Sequence, residues 1–152
     1  MKSLAQPNDK ADIVRRLQAL GPDSSRRWGR MTVQQMVCHL ADNARVALLQ
    51  RSVSVYTPWW ARTVLKWGAL WAPVKWPPGI PTRPELDQVR GGGTKPAELA
   101  KDITELRGLV ERMVTDTELE GREHPFLGKL SRAEWLRWAY LHMDHHLRQF
   151  GV

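Results

Sequence analysis

Cysteine and long apolar runs are scarce in this 152-residue sequence. The single cysteine, Cys38, excludes an intrachain disulfide framework and favours a reducing compartment. No stretch reaches the roughly 18 consecutive apolar residues that a membrane-spanning helix needs. The first residues, Met1 to Arg16, contain no apolar run suited to a signal peptide. We therefore expect a cytoplasmic protein with no membrane span.

Acidic residues are scarce in the first half of the chain. Residues 1–84 contain 13 Lys and Arg against 4 Asp and Glu, whereas residues 85–152 contain 10 against 12. A basic half could attract nucleic acid, an acidic membrane surface or a small molecule with carboxylates. The alternative is that the cations are scattered over solvated helix faces. We favour this alternative because no dense basic run or nucleic-acid motif accompanies the charge, which makes nucleic-acid binding the weakest hypothesis.

The sequence also lacks the polar–apolar alternation that would build a sheet, and it has no internal repeat. Helical periodicity is present instead. Five helices are predicted, over residues 8–20, 33–50, 59–71, about 96–113 and 131 to about 150. Asn8 or Asp9 is the expected cap of the first helix. Pro96 lies in the first turn of the fourth helix, which continues through Leu99–Met113. The triplet Gly91-Gly92-Gly93 predicts a loop, without the flanking residues of a phosphate loop.

Two of these helices begin with a capping box. Thr32 is followed three positions later by Gln35, and Ser131 is followed three positions later by Glu134. The pattern predicts one all-α domain over residues 1–152. We expect a four-helix bundle with a short Trp-rich accessory helix and a Pro-rich loop between the second and third main helices.

The segment 56–84 differs in composition, since it holds five of the eight Trp and six of the ten Pro residues. Trp60, Val64, Trp67 and Trp71 recur at helical spacing, and the prolines that follow predict an extended cover across the domain. One interpretation is an anchor at a membrane interface. The other is an elaborated loop that packs its indoles on the bundle or on a second subunit. We favour the second, because the stripe is short and ends at prolines.

The last predicted helix carries a pair of histidines, His142 and His146, four positions apart. Positions i and i+4 lie on the same helix face, so the two imidazoles are side by side, as two ligands of one metal ion require. A third ligand should come from a facing helix, where His39 is the candidate. Taken alone, a histidine such as His39 is more often a hydrogen-bonded core residue than a metal ligand. Its neighbour Cys38 points about 100° away on a helix, which favours a core role over a nucleophile.

Two parts of the sequence carry a family resemblance. They are Trp28-Gly29-Arg30-Met31-Thr32 leading to His39-Leu40, and the C-terminal part with His124–Ser131, Glu134-Trp135 and His142–Gly151. With these motifs the chain resembles the DinB-like superfamily of bacterial metal-binding four-helix bundles. It is most similar to a branch whose members end in H-x-x-H-H-L-R-Q-F-G.

The resemblance implies a ligand set and a chemistry. One His of the second helix and an H-x-x-x-H pair of the last helix bind nickel or zinc in the family, which assigns His39, His142 and His146 as the metal ligands. Characterised members include thiol-dependent transferases and isomerases. The implied function is therefore a metal-dependent enzyme that transfers a low-molecular-weight thiol or hydrolyses a small molecule.

Other residues are expected around the ligands. Asn43, His145, Gln149 and His124 are candidates for orienting the ligands or binding the substrate. The carboxylates of a thiol cosubstrate could be bound by Arg30, Arg45 or Arg148. Asp42 and Asp144 are expected to point away from their neighbouring ligands. The alternative to an enzyme is a non-catalytic bundle braced by the metal that acts as a dimerisation or interaction protein, and we expect a homodimer.

Overall fold

The computed structural model describes residues 1–55 and 57–152, so Tyr56, the first residue of the Trp- and Pro-rich segment, lies outside the described residues. The described part contains five helices: α1 (Pro7–Gln18), α2 (Val33–Ala47), α3 (Trp59–Trp71), α4 (Leu99–Thr115) and α5 (Arg132–Gln149). Two short 3₁₀ turns, Pro84–Leu86 and Gln88–Arg90, lie between α3 and α4, and a two-residue antiparallel hairpin of β1 (Glu123–His124) and β2 (Gly128–Lys129) precedes α5. Among these helices, none is long and apolar enough to cross a membrane.

The helices α1, α2, α4 and α5 form the bundle. Helix α2 packs chiefly on α4 and also on α5, whereas α1 packs on α5 and α4. The apolar stripes of these helices meet in one buried core, to which α3 contributes only Leu70. This arrangement confirms the predicted all-α four-helix bundle with a Trp-rich accessory helix.

Both predicted capping boxes are present. The hydroxyl of Thr32 accepts from the backbone N–H of Gln35, whose side chain accepts from the N–H of Thr32. Ser131 and Glu134 make the same reciprocal pair at the start of α5. The two helices that carry the candidate metal ligands therefore begin at sequence-encoded positions.

Predicted helix ends were wrong in α1, α2 and α4. Helix α1 begins at Pro7, so Asp9 is not its cap. The carboxylate of Asp9 instead accepts hydrogen bonds from Lys2 Nζ at 2.7 Å and from the Ser3 N–H at 3.0 Å. Helix α4 begins at Leu99, which leaves Pro96 outside its first turn. Helix α2 ends at Ala47 rather than residue 50, because Leu49 adopts a left-handed backbone with φ of 58°.

The Trp-rich helix α3 has the predicted bounds, but its indoles do not pack on the bundle. The side chains of Trp59, Trp60, Trp67 and Trp71 are 81%, 67%, 62% and 42% exposed. For these four indoles the bundle is therefore not the covering surface, and packing on a second subunit stays a prediction. Periodicity shows that a helix has an apolar stripe but not which surface covers it.

The proline-containing stretch after α3 does form an extended cover. Its Trp76 donates from the indole N–H to the carbonyl of Ala69 on α3 at 2.9 Å. The Trp76 ring lies 6.1 Å from the ring of His142 and 6.2 Å from that of His145, centroid to centroid. The cover is thus fixed to α3 at one side and to the histidine-rich end of α5 at the other.

Candidate metal centre

Helices α2 and α5 bring three histidines together inside the bundle. His39 projects from α2, and His142 and His146 project from successive turns of α5. All three side chains are buried, and one ring nitrogen of each lies within 4.8 Å of the other two. The ring centroids are 4.9 to 5.1 Å apart. Three convergent imidazoles are a ligand set that Zn²⁺ and Ni²⁺ accept.

Two of the rings are oriented by hydrogen bonds on their outer nitrogens. Nδ1 of His39 donates to the backbone carbonyl of Leu86 at 3.2 Å, and Nδ1 of His146 donates to Oε1 of Gln149 at 2.8 Å. A carbonyl oxygen can only accept, so each bond places the proton on Nδ1 and leaves the Nε2 lone pair free. Outer acceptors of this kind are characteristic of metal-ligating histidines.

The inner nitrogens of the cluster face one another inside the bundle. Nε2 of His39 lies 3.2 Å from Nε2 of His142. Burial lowers the pKa of His39, and burial together with the neighbouring imidazoles holds the pKa values of His142 and His146 well below their usual range. The three side chains are therefore neutral at physiological pH, which is the form that binds a metal. A cation fits this cluster of lone pairs.

No carboxylate or thiolate joins the three histidines within residues 1–55 and 57–152. Asp42, on the same helix as His39, is fully buried elsewhere and accepts from Arg45, Arg51 and Thr94. Asp144 pairs with Arg16 and Arg148. Both carboxylates thus point away from the cluster, as expected. A metal ion bound by the histidines would keep room for a further ligand.

The three histidines line a cavity of about 910 Å³, a size that suits a small molecule. Its walls are mainly apolar and aromatic, with side chains that include Met31, Leu65, Trp76, Phe126, Leu127 and Trp138. The polar lining groups besides the cluster include Arg30, Asn43, Arg83 and His145. Exposed residues such as Arg30, Val64 and Ile80 are also part of the lining, so the cavity reaches solvent.

In a comparison with family models, residues 9–150 match the DinB superfamily. The chain belongs to the DinB superfamily. Neither the curated proteins nor the solved structures gave a significant match. The matched region contains the four bundle helices almost in full and all three clustered histidines.

The other predicted site residues of this DinB protein lie close to the cluster. Asn43 donates its amide to the carbonyl of His39 at 2.8 Å, and the amide nitrogen lies 3.3 Å from Nε2 of His39. Gln149 contacts His146 and donates to the carbonyl of Trp28 at 2.8 Å. His145 is buried beside His146, and its Nδ1 has no hydrogen-bond partner within the described residues.

His124 lies in the β1–β2 hairpin and lines the same cavity. Its Nδ1 accepts from the backbone N–H groups of Phe126 and Leu127 at 3.2 and 3.3 Å, and its ring lies 4.5 Å from that of Trp138. Burial lowers the pKa of His124 to about 3, so it is a neutral side chain that shapes the hairpin. Trp138 also contacts the ring of His142, with the ring centroids 4.8 Å apart.

Three arginines were alternatives for binding the carboxylates of a thiol cosubstrate, and two of them lie outside the cavity lining. Arg45 pairs with Asp42 and Glu105, and Arg148 pairs with Asp144, outside the cavity lining. Only Arg30 of the three lines the cavity. Of these alternatives Arg30 stays a candidate for binding a substrate carboxylate, whereas aspartates about one helical turn away hold Arg45 and Arg148 on other helix faces.

Cys38 has the expected core role. Its side chain is buried, and burial raises the pKa of the thiol to about 12, with the nearby carboxylate of Asp102 acting in the same direction. A thiol with this pKa is not a nucleophile at neutral pH.

Sequence reasoning missed three contributors to the site. The carbonyl of Leu86 has no side-chain signature, since any residue supplies a carbonyl. Arg83 and Trp76 lie in the proline-containing segment, whose path across the cavity no periodicity predicts. A usable signal was the composition of that segment, because buried aromatic residues often cover ligand sites.

Proposed function

We propose that this DinB protein is a metal-dependent enzyme that acts on a small molecule, and that thiol transfer to an electrophile is its reaction class, with hydrolysis as the alternative chemistry. The observation that supports this proposal is the location of the histidine cluster. Three neutral imidazoles, joined by no fourth protein ligand among residues 1–55 and 57–152, line a cavity that reaches solvent. A metal that only braces a bundle is typically enclosed by four protein ligands.

His39, His142 and His146 would hold the ion, which is zinc or nickel in this proposal. When bound, a divalent cation there would supply Lewis acidity, which lowers the pKa of a water molecule or a thiol toward neutrality. Leu86 and Gln149 keep two of the imidazoles in the binding tautomer. The aromatic walls limit the access of bulk water, which strengthens polar interactions inside the cavity.

In this proposal, polar groups of the cavity that are available for further hydrogen bonds bind the substrate. Nδ1 of His145 is buried and makes no hydrogen bond to a described residue, and Arg30 presents a guanidinium at the exposed part of the lining. A guanidinium binds a carboxylate through two parallel hydrogen bonds. These groups suit a thiol that carries a carboxylate, with the apolar walls in contact with the electrophilic acceptor.

Metal content tests the ligand set directly. Protein purified without a His-tag and dialysed against zinc should contain about one metal ion per chain by elemental analysis. We expect His39→Ala, His142→Ala and His146→Ala each to lose most of it. His145→Ala is the matched control, since it removes the histidine next to His146 but keeps the cluster, and it should retain the metal. Equal metal content in wild type and the three cluster variants would contradict the proposal.

Activity tests the reaction class. Bacterial thiols should be assayed with electrophilic acceptors, with and without zinc or nickel. We expect Arg30→Gln to raise KM for a carboxylate-bearing thiol by roughly tenfold or more while the metal content stays unchanged, because one charge-assisted contact is lost. A metal-loaded protein with no turnover of any thiol, but with a much higher melting temperature than the metal-free form, would support the brace instead.

A further inference from the structure

Helix α3 exposes an apolar stripe that the rest of the described chain does not cover. Trp60, Val64, Trp67 and Trp71 recur at helical spacing, and all four side chains are exposed. The indole N–H groups of the three tryptophans have no acceptor within the described residues, unlike that of Trp76. Monomeric proteins rarely expose so many neighbouring large apolar side chains without a function.

The charge around this stripe is positive. Residues 43–84 contain six Lys and Arg residues and no Asp or Glu. Arg62 and Lys66 on α3 pair with Glu123 and Glu134. Lys75, just after the helix, and Lys129, on the β2 strand that α3 contacts, are exposed and make no ion pair with described residues. Arg137 adds a guanidinium 5.2 Å from the Trp71 ring. Of these five cations, Arg62 and Lys66 are the two with an ion pair to a described carboxylate.

We propose that this face of the protein binds the surface of an anionic lipid bilayer, with α3 lying in the plane of the interface. Tryptophan suits the boundary between headgroups and acyl chains, because its ring is apolar and its N–H remains available to polar headgroups. The cations supply attraction to acidic lipids. Pro58 and Pro73 flank a helix of 13 residues, which is too short to span a bilayer but long enough to lie on one.

Charge also decides between a bilayer and a second copy of the chain. In a two-fold symmetric dimer the same patch meets itself. Lys75 and Lys129 of both subunits would then approach one another, and both carboxylates near the stripe are already paired. An anionic bilayer satisfies the cations and covers the indoles at the same time.

The face is continuous with the cavity described above. Leu65, Gly68 and Ala69 of the same helix line that cavity, and so does Val64 of the exposed stripe. A helix embedded at the interface would therefore place one wall of the cavity next to the acyl chains. The proposal on the bilayer does not depend on the metal, because none of the histidines belongs to this face.

Vesicle binding by the full-length protein tests the proposal. The probe is vesicles of equal parts phosphatidylcholine and phosphatidylglycerol, compared with pure phosphatidylcholine, in a sedimentation assay. We expect the protein to sediment with the anionic vesicles, with tryptophan emission shifted to shorter wavelength and quenched by brominated acyl chains. Added salt should weaken the binding.

Matched variants separate the contribution of the tryptophans to vesicle binding from that of the lysines. Trp60→Ala/Trp67→Ala should lower the partition coefficient at least about tenfold, since two aromatic side chains no longer enter the interface. Leu49→Ala, which removes an exposed apolar side chain outside the stripe, should leave it unchanged. Lys75→Gln/Lys129→Gln should lower it roughly fivefold or more on anionic vesicles, whereas Lys95→Gln/Lys101→Gln, two exposed lysines elsewhere, should have little effect.

Three results would overturn the proposal. They are no binding to either vesicle, equal binding of wild type and Trp60→Ala/Trp67→Ala, and a lipid-independent dimer that this double variant dissociates. His142→Ala should bind vesicles like wild type. We expect this variant to lose its metal and still bind vesicles. The metal proposal and the bilayer proposal can therefore fail independently of each other.

Discussion

Hydrogen bonds to the outer nitrogens set the orientation of the clustered imidazoles. Gln149 is the clearest case, since its amide oxygen accepts from His146 while its amide nitrogen donates to the carbonyl of Trp28. The loop can approach this closely because Gly29 has φ of 78° and a Cβ there would lie 2.4 Å from Nε2 of Gln149. The Trp28-Gly29 motif therefore acts on the metal site through Gln149.

Substitution of Gln149 should change metal affinity without removing a ligand. We expect Gln149→Leu to weaken zinc binding about 10–100-fold, because His146 loses the acceptor that fixes its tautomer. Gln149→Glu keeps an acceptor for His146 but cannot donate to Trp28, so it should recover most of the affinity. Zinc titration against a competing chelator measures both. Equal affinities for Gln149→Leu and wild type would show that packing alone orients the ring.

Part of the cluster could be predicted from sequence, and the reason is geometric. His142 and His146 lie on one helix, so their separation follows from the helical repeat. The position of His39 relative to them depends on how α2 packs against α5, which spacing does not give; only the family resemblance assigned it. The contact from Leu86 could not be predicted, because it comes from a backbone carbonyl in a segment without regular structure.

Among the helices and loops, the ends that the sequence encodes through side chains were predicted well. Thr32 and Ser131 cap α2 and α5 as expected, since the capping box is a local motif. The start of α1 was wrong because Pro7 occupies its first turn, which places Asp9 inside the helix rather than at its cap. The surface that covers the α3 stripe could not be predicted, because an apolar stripe alone does not identify its partner.

The glycine-rich loop before α4 has a structural role that a substitution can reveal. A Cβ on Gly92 would lie 1.8 Å from the carbonyl oxygen of Pro84, so the 3₁₀ turn that presents Leu86 to His39 would have to shift. We expect Gly92→Ala to lower the free energy of unfolding by roughly 1–3 kcal/mol and to weaken zinc binding. Chemical denaturation and zinc titration measure the two effects.

Gly108 is the matched control for that substitution. It is exposed within α4, and a Cβ there would meet nothing within 4 Å. Gly108→Ala should raise the free energy of unfolding by about 0.5–1 kcal/mol, because alanine loses less backbone entropy in a helix. It should leave zinc affinity unchanged. If the free energy of unfolding of Gly92→Ala equalled that of Gly108→Ala, this would contradict the close contact between Gly92 and Pro84.

Across the entire chain, the buried histidines link stability to pH. Their pKa values are lowered in the folded state, to about 3 for His124, whereas an unfolded chain protonates histidine near pH 6.5. The unfolded state therefore binds more protons between these two values. It follows that the stabilisation is fully present above about pH 6.5 and is lost progressively as the pH falls toward 3.

The contribution of His124 to the pH dependence of stability can be measured separately, because His124 is not part of the metal cluster. Asn at this position keeps an oxygen that accepts from Phe126 and Leu127 but does not titrate. Between pH 6 and 4, metal-free wild type should lose on the order of 1 kcal/mol more per pH unit than metal-free His124→Asn. Urea denaturation at a series of pH values measures the difference, and above pH 7 the two proteins should show parallel curves. Parallel curves at acidic pH as well would mean that the His124 imidazole accepts a proton in the folded protein as readily as in the unfolded chain, and that hairpin opening rather than burial controls its charge.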